Sequence, residues 1–307
     1  MKVFITGGTG FVGAFLSREL ALKGFDVTIL TRKKTPPASI HTRIGYVTGN
    51  PTVAGPWMEA VGGHDWVINL AGASIFSYWT ESKKKEIHDS RILSTKNLVA
   101  AMARGDQVKF FCSTSAPGFF GDRGEAVLTE DSLPGQDFLA QVAQEWEAEA
   151  LKAQDLGLRV AITRFGVVLG LGGGILKQLE PLFRYFVGGP VGSGTQWFSW
   201  IHQIDLVGAY LFLLDHPELT GPVNFTAPNP VRNHEFARAL GRAMHRPAFL
   251  PAPRFMIKLV MGEMADVALT SQRVLPARLT AAGFPFRFPT IYQALEHLLG
   301  EEGGVEN

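Results

Sequence analysis

The chain opens on an apolar run, Lys2-Val3-Phe4-Ile5, which feeds Thr6-Gly7-Gly8-Thr9-Gly10-Phe11-Val12-Gly13, with Gly7, Gly10 and Gly13 at G-x-x-G-x-x-G spacing, and then a helical pattern. Few folds are open to a strand that passes into a helix through such a turn. Gly7 and Gly10 let the backbone turn and approach a ligand, Gly13 lets the helix close on the strand, and the helix start supplies free amides and a partial positive charge. Phe11, Phe15, Leu16 and Leu20 recur at helical spacing, Gly24 follows, and Asp26-Val27-Thr28-Ile29-Leu30 reads as a second strand, which completes a β-α-β unit. Gly7, Thr9, Gly10, Phe11, Val12 and Gly13 are therefore expected to cradle the diphosphate of a dinucleotide; a tight strand-to-helix turn with no ligand is the alternative.

The end of the second strand selects the nucleotide. An acidic residue there pairs with the ribose hydroxyls of NAD(H), whereas this chain reads Thr31-Arg32-Lys33-Lys34, with three cations and no carboxylate. Arg32 and Lys33 are expected to hold a 2′-phosphate, which makes NADP(H) the expected cofactor. A solvated basic turn is the other reading of the same residues.

At 307 residues and 46% hydrophobic, the chain can bury a large core in one or two domains. Its 29 basic and 28 acidic residues leave a formal net charge of +1, so nucleic acid is not an expected partner and attraction to a membrane surface is weak. The single cysteine, Cys112, falls in an expected buried strand over 108–113, which excludes an internal disulfide and fits a reducing compartment. The eight histidines are scattered without ligand spacing, so no metal site is expected. No secretory signal pattern and no apolar stretch approaching about 20 residues is found, so a cytoplasmic protein without a membrane span is expected.

After a break at Thr35-Pro36-Pro37, a short strand is expected near Tyr46-Val47, and Asp65-Trp66-Val67-Ile68-Asn69-Leu70-Ala71-Gly72 reads as a buried strand ending in a small-residue turn. Helices expected over 81–104 and 138–154 lead to strands at Val108 and at Leu158 to Arg164. Continuous apolar strands alternating with helices define an α/β fold, a doubly wound parallel sheet of Rossmann type. From Gly170 glycine-rich turns bracket a short helix over 175–186, a strand and helix return over 197–214, and short proline-separated helices follow a strand at Val223 to Phe225. The expected organisation is interleaved: 1–170 and 196–227 form the NADP-binding domain, 171–195 and 228–307 a smaller, mostly helical substrate lobe, and 301–307 a frayed tail. Substrate is expected in the cleft between them.

With Thr6 to Gly13, Asn69-Leu70-Ala71-Gly72, Ser113-Thr114-Ser115-Ala116, Arg164-Phe165-Gly166-Val167-Val168-Leu169-Gly170 and Trp200-Ile201-His202-Gln203-Ile204-Asp205 in order, the chain resembles an extended short-chain dehydrogenase/reductase. Gly188-Gly189-Pro190-Val191-Gly192-Ser193-Gly194, Trp200-Ile201-His202 and Ser271-Gln272-Arg273-Val274-Leu275-Pro276 look like its atypical branch, the nucleoside-diphosphate-sugar epimerase-like or cell-division-inhibitor-like proteins. The resemblance implies a cofactor wall at Leu70, Ala71 and Gly72, cofactor contact at Ser113 and nicotinamide near Ser115 and Gly166. It also implies a small-molecule substrate, nucleotide-linked in the epimerase reading, and a homodimer through the two long helices.

In that larger family a Ser orients substrate while a Tyr, and a Lys four residues later, move the proton. Ser115 matches the first by position, but the Tyr position is Phe138 and the Lys position Val142. Tyr46, Tyr78, Tyr185, Tyr210 and Tyr292 are followed at the fourth position by Asn50, Ser82, Gly189, Leu214 and Glu296, so the chain has no Tyr-x-x-x-Lys. The usual acid/base pair does not carry over. Two catalytic candidates remain. Ser115 is one, with a strand-end capping hydroxyl as its alternative. His202 is the other, with a satisfied structural histidine as its alternative. Asp122, Glu125, Glu130, Asp131 and Asp137 read as loop charges. Arg164, Arg232 and above all Arg273 are candidates for an anionic substrate, and ion pairing is the alternative for each. Trp200, with Trp79, Trp197 and Phe119-Phe120, is a candidate pocket wall or core. The expected function is an NADP(H)-binding oxidoreductase acting on a small molecule. The competing readings are a nucleotide-sugar epimerase or dehydratase, and a non-catalytic NADP(H)-dependent regulatory or binding module.

Overall fold

A computed structural model describes residues 1–35 and 41–300; Pro36, Pro37 and the tail from Glu301 to Asn307 lie outside the described residues. Seven strands form one sheet: β1 Lys2–Thr6, β2 Asp26–Thr31, β3 Ile44–Thr48, β4 Trp66–Asn69, β5 Phe110–Ser115, β6 Arg159–Phe165 and β7 Gly221–Phe225. Their order is β7-β6-β5-β4-β1-β2-β3, and every neighbouring pair is parallel. The apolar runs are continuous because both faces are covered: Val3, Phe4 and Ile5 of β1 and Trp66, Val67 and Ile68 of β4 are all wholly buried.

On one face lie α1 (Phe11–Leu22) and α6 (Gln203–Asp215), whose Leu16, Leu20, Leu206, Tyr210 and Leu213 share a core with Ile5, Ile68 and Val223. On the other face lie α2 (Trp57–Val61), α3 (Glu81–Met102) and α4 (Phe138–Leu151), whose Trp57, Leu98 and Ala150 pack on Phe4, Phe111 and Val160. Burying a leucine such as Leu16 or Leu98 in these layers stabilises the fold by roughly 1.5–3 kcal/mol. The two long helices start where the sequence offers caps: Thr80 Oγ1 accepts from the Lys83 amide at 3.2 Å and Asp137 Oδ1 from the Ala140 amide at 3.0 Å. The expected helix over 138–154 ends early, at Leu151, and tightens into a 3-10 turn, Lys152–Leu156, closed by Gly157 at φ +74°. Cys112 is wholly buried in β5, its thiol pushed up to about 12 by desolvation, while the Trp66 indole donates to its sulfur at 3.3 Å.

The remaining helices are α5 (Gly174–Arg184), α7 (Asn233–Ala243), α8 (Arg254–Met261), α9 (Met264–Leu269), α10 (Ala277–Ala281) and α11 (Ile291–Leu299). Leu176, Phe183, Trp200, Phe236, Leu240 and Leu295 make a second apolar core there. Among the described residues three short ribbons link this region to the connections of the sheet, Val167–Leu169 beside Trp200–His202, Trp197–Phe198 beside Val231–Arg232 and Val127–Leu128 beside Arg273–Val274. The strand order reverses between β1 and β4, so connections leave in opposite directions and open a crevice at the carboxyl ends of those strands. Among the described residues no helix is long and apolar enough to cross a membrane.

Candidate functional site

The glycine turn sits at that crevice. Gly7 adopts φ +69°, and a Cβ there would lie 2.5 Å from the Leu70 carbonyl oxygen; at Gly13 it would lie 2.3 Å from the Gly7 oxygen. Helix α1 thus rests directly on the turn, and the turn on the backbone that leaves β4. The Gly10 amide donates to the Gly7 oxygen at 3.0 Å, Thr9 and Gly10 are exposed, and Gly10 caps α1 with no side-chain hydrogen bond. Among the described residues no side chain caps the start of α1, and a helix start held this closely on a glycine turn suits a dinucleotide diphosphate.

Thr6 Oγ1 donates to Asn69 Oδ1 at 2.7 Å, and Asn69 Nδ2 donates to Thr95 Oγ1 at 2.8 Å and Ser113 Oγ at 3.5 Å. This buried chain aligns the β1, β4 and β5 ends, and it occupies Ser113 as an internal anchor. Phe11 packs against the glycine run that begins at Gly170. A Cβ at Gly170, Gly173 or Gly174 would come within 3.0, 2.2 or 2.8 Å of its ring, so the glycine run is what lets that loop close over the cradle. At the end of β2, one strand over, Arg32 and Lys33 are exposed. No carboxylate forms an ion pair with either among the described residues.

Ser115 ends β5 but is not an open hydroxyl. It is buried and donates to Glu147 Oε1 at 2.6 Å, and Glu147 is gripped by Arg164 through Nε at 2.8 Å and Nη2 at 2.7 Å. The Arg164 guanidinium also covers the Phe119 ring, 3.7 Å from its centroid, and donates to the Glu130 carbonyl. Neither end of this pair was legible as such, because Glu147 stands among the charges of α4 and its partners lie 32 and 17 residues away. Glu130 is no solvated loop charge either: burial pushes its pKa up, and its Oε1 accepts from the Asn224 and Arg278 amides. Phe138 packs edge-on to Trp79 at 5.5 Å, and Val142 is buried, so nothing acidic or basic fills the family's Tyr and Lys positions. Gly166 is buried where a Cβ would press on the Ser199 oxygen at 3.0 Å, which marks it as a packing glycine.

His202 and Trp200 require correction. Both are wholly buried. The Trp200 indole donates to the Asn229 carbonyl inside the second core, and this leaves it no surface for substrate. His202 caps α6: its Nδ1 accepts the Ile204 amide at 3.0 Å, and its ring stacks on Phe288 at 3.9 Å. Burial, with His297 and Arg287 nearby, pushes its pKa from 6.5 to about 3, so it stays neutral across the range in which a proton shuttle works. Because the unfolded chain takes up a proton that the folded one refuses, stability is full above the unfolded value and falls as pH drops below it, by up to about 1.4 kcal/mol per pH unit. In His202→Asn, which keeps a capping oxygen, urea midpoints are expected to fall less steeply between pH 6.5 and 4 than in the wild type. Equal slopes would contradict the assignment; the residual slope comes in part from His64, whose pKa burial also lowers.

Of the three arginines expected to meet an anion, Arg164 is held by Glu147 and Arg232 by a bidentate pair with Glu125 at 2.7 and 2.6 Å. Arg273 is held by neither. Its guanidinium lies 4.5 Å from the Trp197 ring centroid and its buried Nε has no partner among the described residues. The flanking Gln272 donates to the Pro117 and Gly121 carbonyls, which brings the segment against the loop after β5.

Comparison with known proteins places this geometry in a lineage. The model of the NAD dependent epimerase/dehydratase family matches residues 3–225, and a domain of unknown function, DUF1731, matches residues 252–298. The chain belongs to the NAD dependent epimerase/dehydratase family. It is 40% identical over 302 residues to "Epimerase family protein SDR39U1 homolog, chloroplastic" of Arabidopsis thaliana, which covers 97% of this chain and 87% of that protein. The human epimerase family protein SDR39U1 (isoform 2), crystallised with NADPH, superposes with a TM-score of 0.87 at 32% identity, covering 98% of this chain and 100% of that one. A nucleoside-diphosphate sugar epimerase from Corynebacterium glutamicum superposes with a TM-score of 0.78 at 36% identity, covering 98% of this chain and 58% of that one.

Proposed function

We propose that the protein binds NADP(H) in the β1–α1 cradle and is an oxidoreductase for a small molecule seated between the loop after β5 and the segment around Arg273. The observation that carries this reading is the pairing of a closely packed glycine turn, with no side-chain cap on α1, with two exposed cations at the end of the adjoining strand, Arg32 and Lys33, that form no ion pair among the described residues. The NADPH in the crystallised human relative supports the same nucleotide. When bound, the dinucleotide supplies the hydride. The chain's part is to bind and orient: amides of α1 on the diphosphate, Arg32 and Lys33 on the 2′-phosphate, and Arg273 on an anionic group of the substrate, for which a nucleotide-linked molecule is one source. Ser115, tied to Glu147, fixes the β5 end and does not abstract a proton. With Phe138 and Val142 where an epimerase keeps its acid/base pair, the nucleotide-sugar epimerase reading lacks a base for the sugar hydroxyl, and proton delivery falls to water or substrate. A non-catalytic NADP(H)-dependent module shares the same cradle and differs only in the absence of turnover.

The double variant Arg32→Ala/Lys33→Ala is expected to lose about 10- to 100-fold in NADPH affinity while NADH affinity stays within about twofold, as removal of charge-assisted phosphate contacts requires. Isothermal titration with both nucleotides measures it, and an unchanged NADPH affinity would remove the 2′-phosphate assignment.

A further inference from the structure

Helix α8 leaves most of its apolar surface uncovered. Only Ile257 is buried, while Leu259 is 81% exposed, Val260 75%, Phe255 71% and Met256 52%. A helix facing water alone carries polar groups at such positions, so this surface is one that a partner covers. The element is firmly seated. A Cβ at Gly262 would lie 2.7 Å from the Tyr78 ring, Lys84 Nζ pairs with Glu263 Oε2 at 2.7 Å, and Met264 shares a small core with Trp79 and Ile87. Just before α8, Ala252 bridges Val191, and its amide donates to the Pro190 carbonyl at 2.8 Å. That join brings exposed Phe249 and Leu250 up to the chain that follows Tyr185, Phe186 and Val187, which are exposed as well. Phe186 at φ +61° and His245 at φ +53° are the two non-glycine residues with positive φ among the described residues, and both border this face. A bulky side chain is disfavoured in that conformation, yet the Phe186 ring is kept at the surface.

The charge around this face has one sign. From Phe236 to Gly262 the chain carries Arg238, Arg242, Arg246, Arg254 and Lys258 and no carboxylate, a cluster that the formal net charge of +1 conceals. Asp266 pairs with Lys258 at 3.0 Å and reaches Arg254 at 3.8 Å, and Glu180 pairs with Arg184 at 2.6 Å. Arg238 and Arg242, four residues apart on α7, and Arg246 just after it are exposed, and none of the three forms an ion pair among the described residues. The Arg246 guanidinium lies 5.1 Å from the Phe186 ring centroid, so cation and apolar surface meet in one place. A second copy seated here across a two-fold axis would set these cations against their own counterparts. Helix α8 is also a ridge, exposed on both sides of Ile257, and a fluid interface takes up a ridge without a matching groove. Apolar side chains then enter the acyl layer while arginines reach back to phosphates.

We propose that α8, with the turn at Tyr185 to Val187 and with Phe249, docks the protein on an anionic lipid bilayer, placing Phe255, Leu259 and Val260 among the acyl chains and Arg242 and Arg246 on headgroup phosphates. With eight residues, and so about 12 Å long, the helix lies in the interface and does not span the bilayer. The glycine cradle takes no part in this contact, so the inference stands apart from the NADP(H) reading.

Flotation of the full chain with vesicles of phosphatidylcholine alone, or of phosphatidylcholine with about one-third phosphatidylglycerol, at low and high salt tests it. Wild type is expected to bind the anionic vesicles at least about tenfold more tightly than the neutral ones, and high salt is expected to erode that difference. Phe255→Ser/Leu259→Ser is expected to weaken binding to the anionic vesicles by about 10- to 100-fold, and Arg242→Gln/Arg246→Gln by about 10- to 30-fold, with thermal melts unchanged because all four side chains are exposed. Wild type that floats with neither vesicle, or equally well with both, overturns the inference. So does a Phe255→Ser/Leu259→Ser protein that floats as wild type does. A wild type that ignores vesicles and sediments as a dimer, which the same variant makes monomeric, overturns it in favour of a second copy. Should the variant fail to fold, hydrogen exchange of wild type with and without anionic vesicles decides the matter. Protection confined to 182–187 and 249–260 supports the assignment, and protection elsewhere or none overturns it. None of these outcomes bears on the cofactor reading.

Discussion

Gly13→Ala is expected to remove measurable NADPH binding. The added Cβ would sit 2.3 Å from the Gly7 oxygen and 2.7 Å from the Gly8 Cα, both backbone atoms that no rotamer change can move. To relieve the clash, α1 must lift off the turn, and its first-turn amides, which no side chain caps, shift with it. Overpacking of this kind costs about 1–3 kcal/mol of stability. The loss of aligned amides is expected to weaken the nucleotide by at least about 100-fold, since charge-assisted hydrogen bonds contribute about 1.5–3 kcal/mol each. Gly45→Ala, where a Cβ meets nothing within 4 Å, is the matched control and is expected to bind as wild type does. Titration with NADPH beside thermal melts measures both; Gly13→Ala with wild-type affinity would mean that the glycines serve packing alone.

The second large effect lies under β5. Arg164→Met leaves Glu147 buried with only the Ser115 hydroxyl to satisfy it, and breaking a buried pair by removing one partner costs about 3–5 kcal/mol. Adding Glu147→Gln removes the orphaned charge, so the double variant is expected to recover a large part of that loss. Urea denaturation of the two single variants and the double variant gives the coupling directly. Additive losses would mean that the two side chains do not depend on each other. Because Ser115 is the third member, the same cycle reports how firmly the end of β5 is held.

The layers of the fold were legible because each rests on a short-range pattern. Apolar runs such as Val3 to Ile5 and Trp66 to Ile68 mark doubly covered parallel strands, and the Gly7 to Gly13 spacing marks the turn whose close contacts the structure bears out. What failed to show was any role set by a partner distant in sequence. The sequence leaves Ser115 open between a substrate-orienting hydroxyl and a strand-end cap, because Glu147 carries no local sign of turning inward. The sequence leaves His202 open between a proton carrier and a satisfied structural histidine, although its place just before Gln203, at the start of an apolar helix, is where a helix cap belongs. Trp200 has a ring as suited to a core as to a pocket, and only the packing of the second apolar core decides between them.

The central claim is that bare backbone amides and two cations together select a dinucleotide bearing a 2′-phosphate. Titrating the wild-type protein with NADPH and with NADH at one ionic strength tests it most directly, because screening by salt acts on the exposed Arg32 and Lys33. The account predicts NADPH tighter by about 10- to 100-fold. Equal affinities, or no binding of either nucleotide, would contradict it.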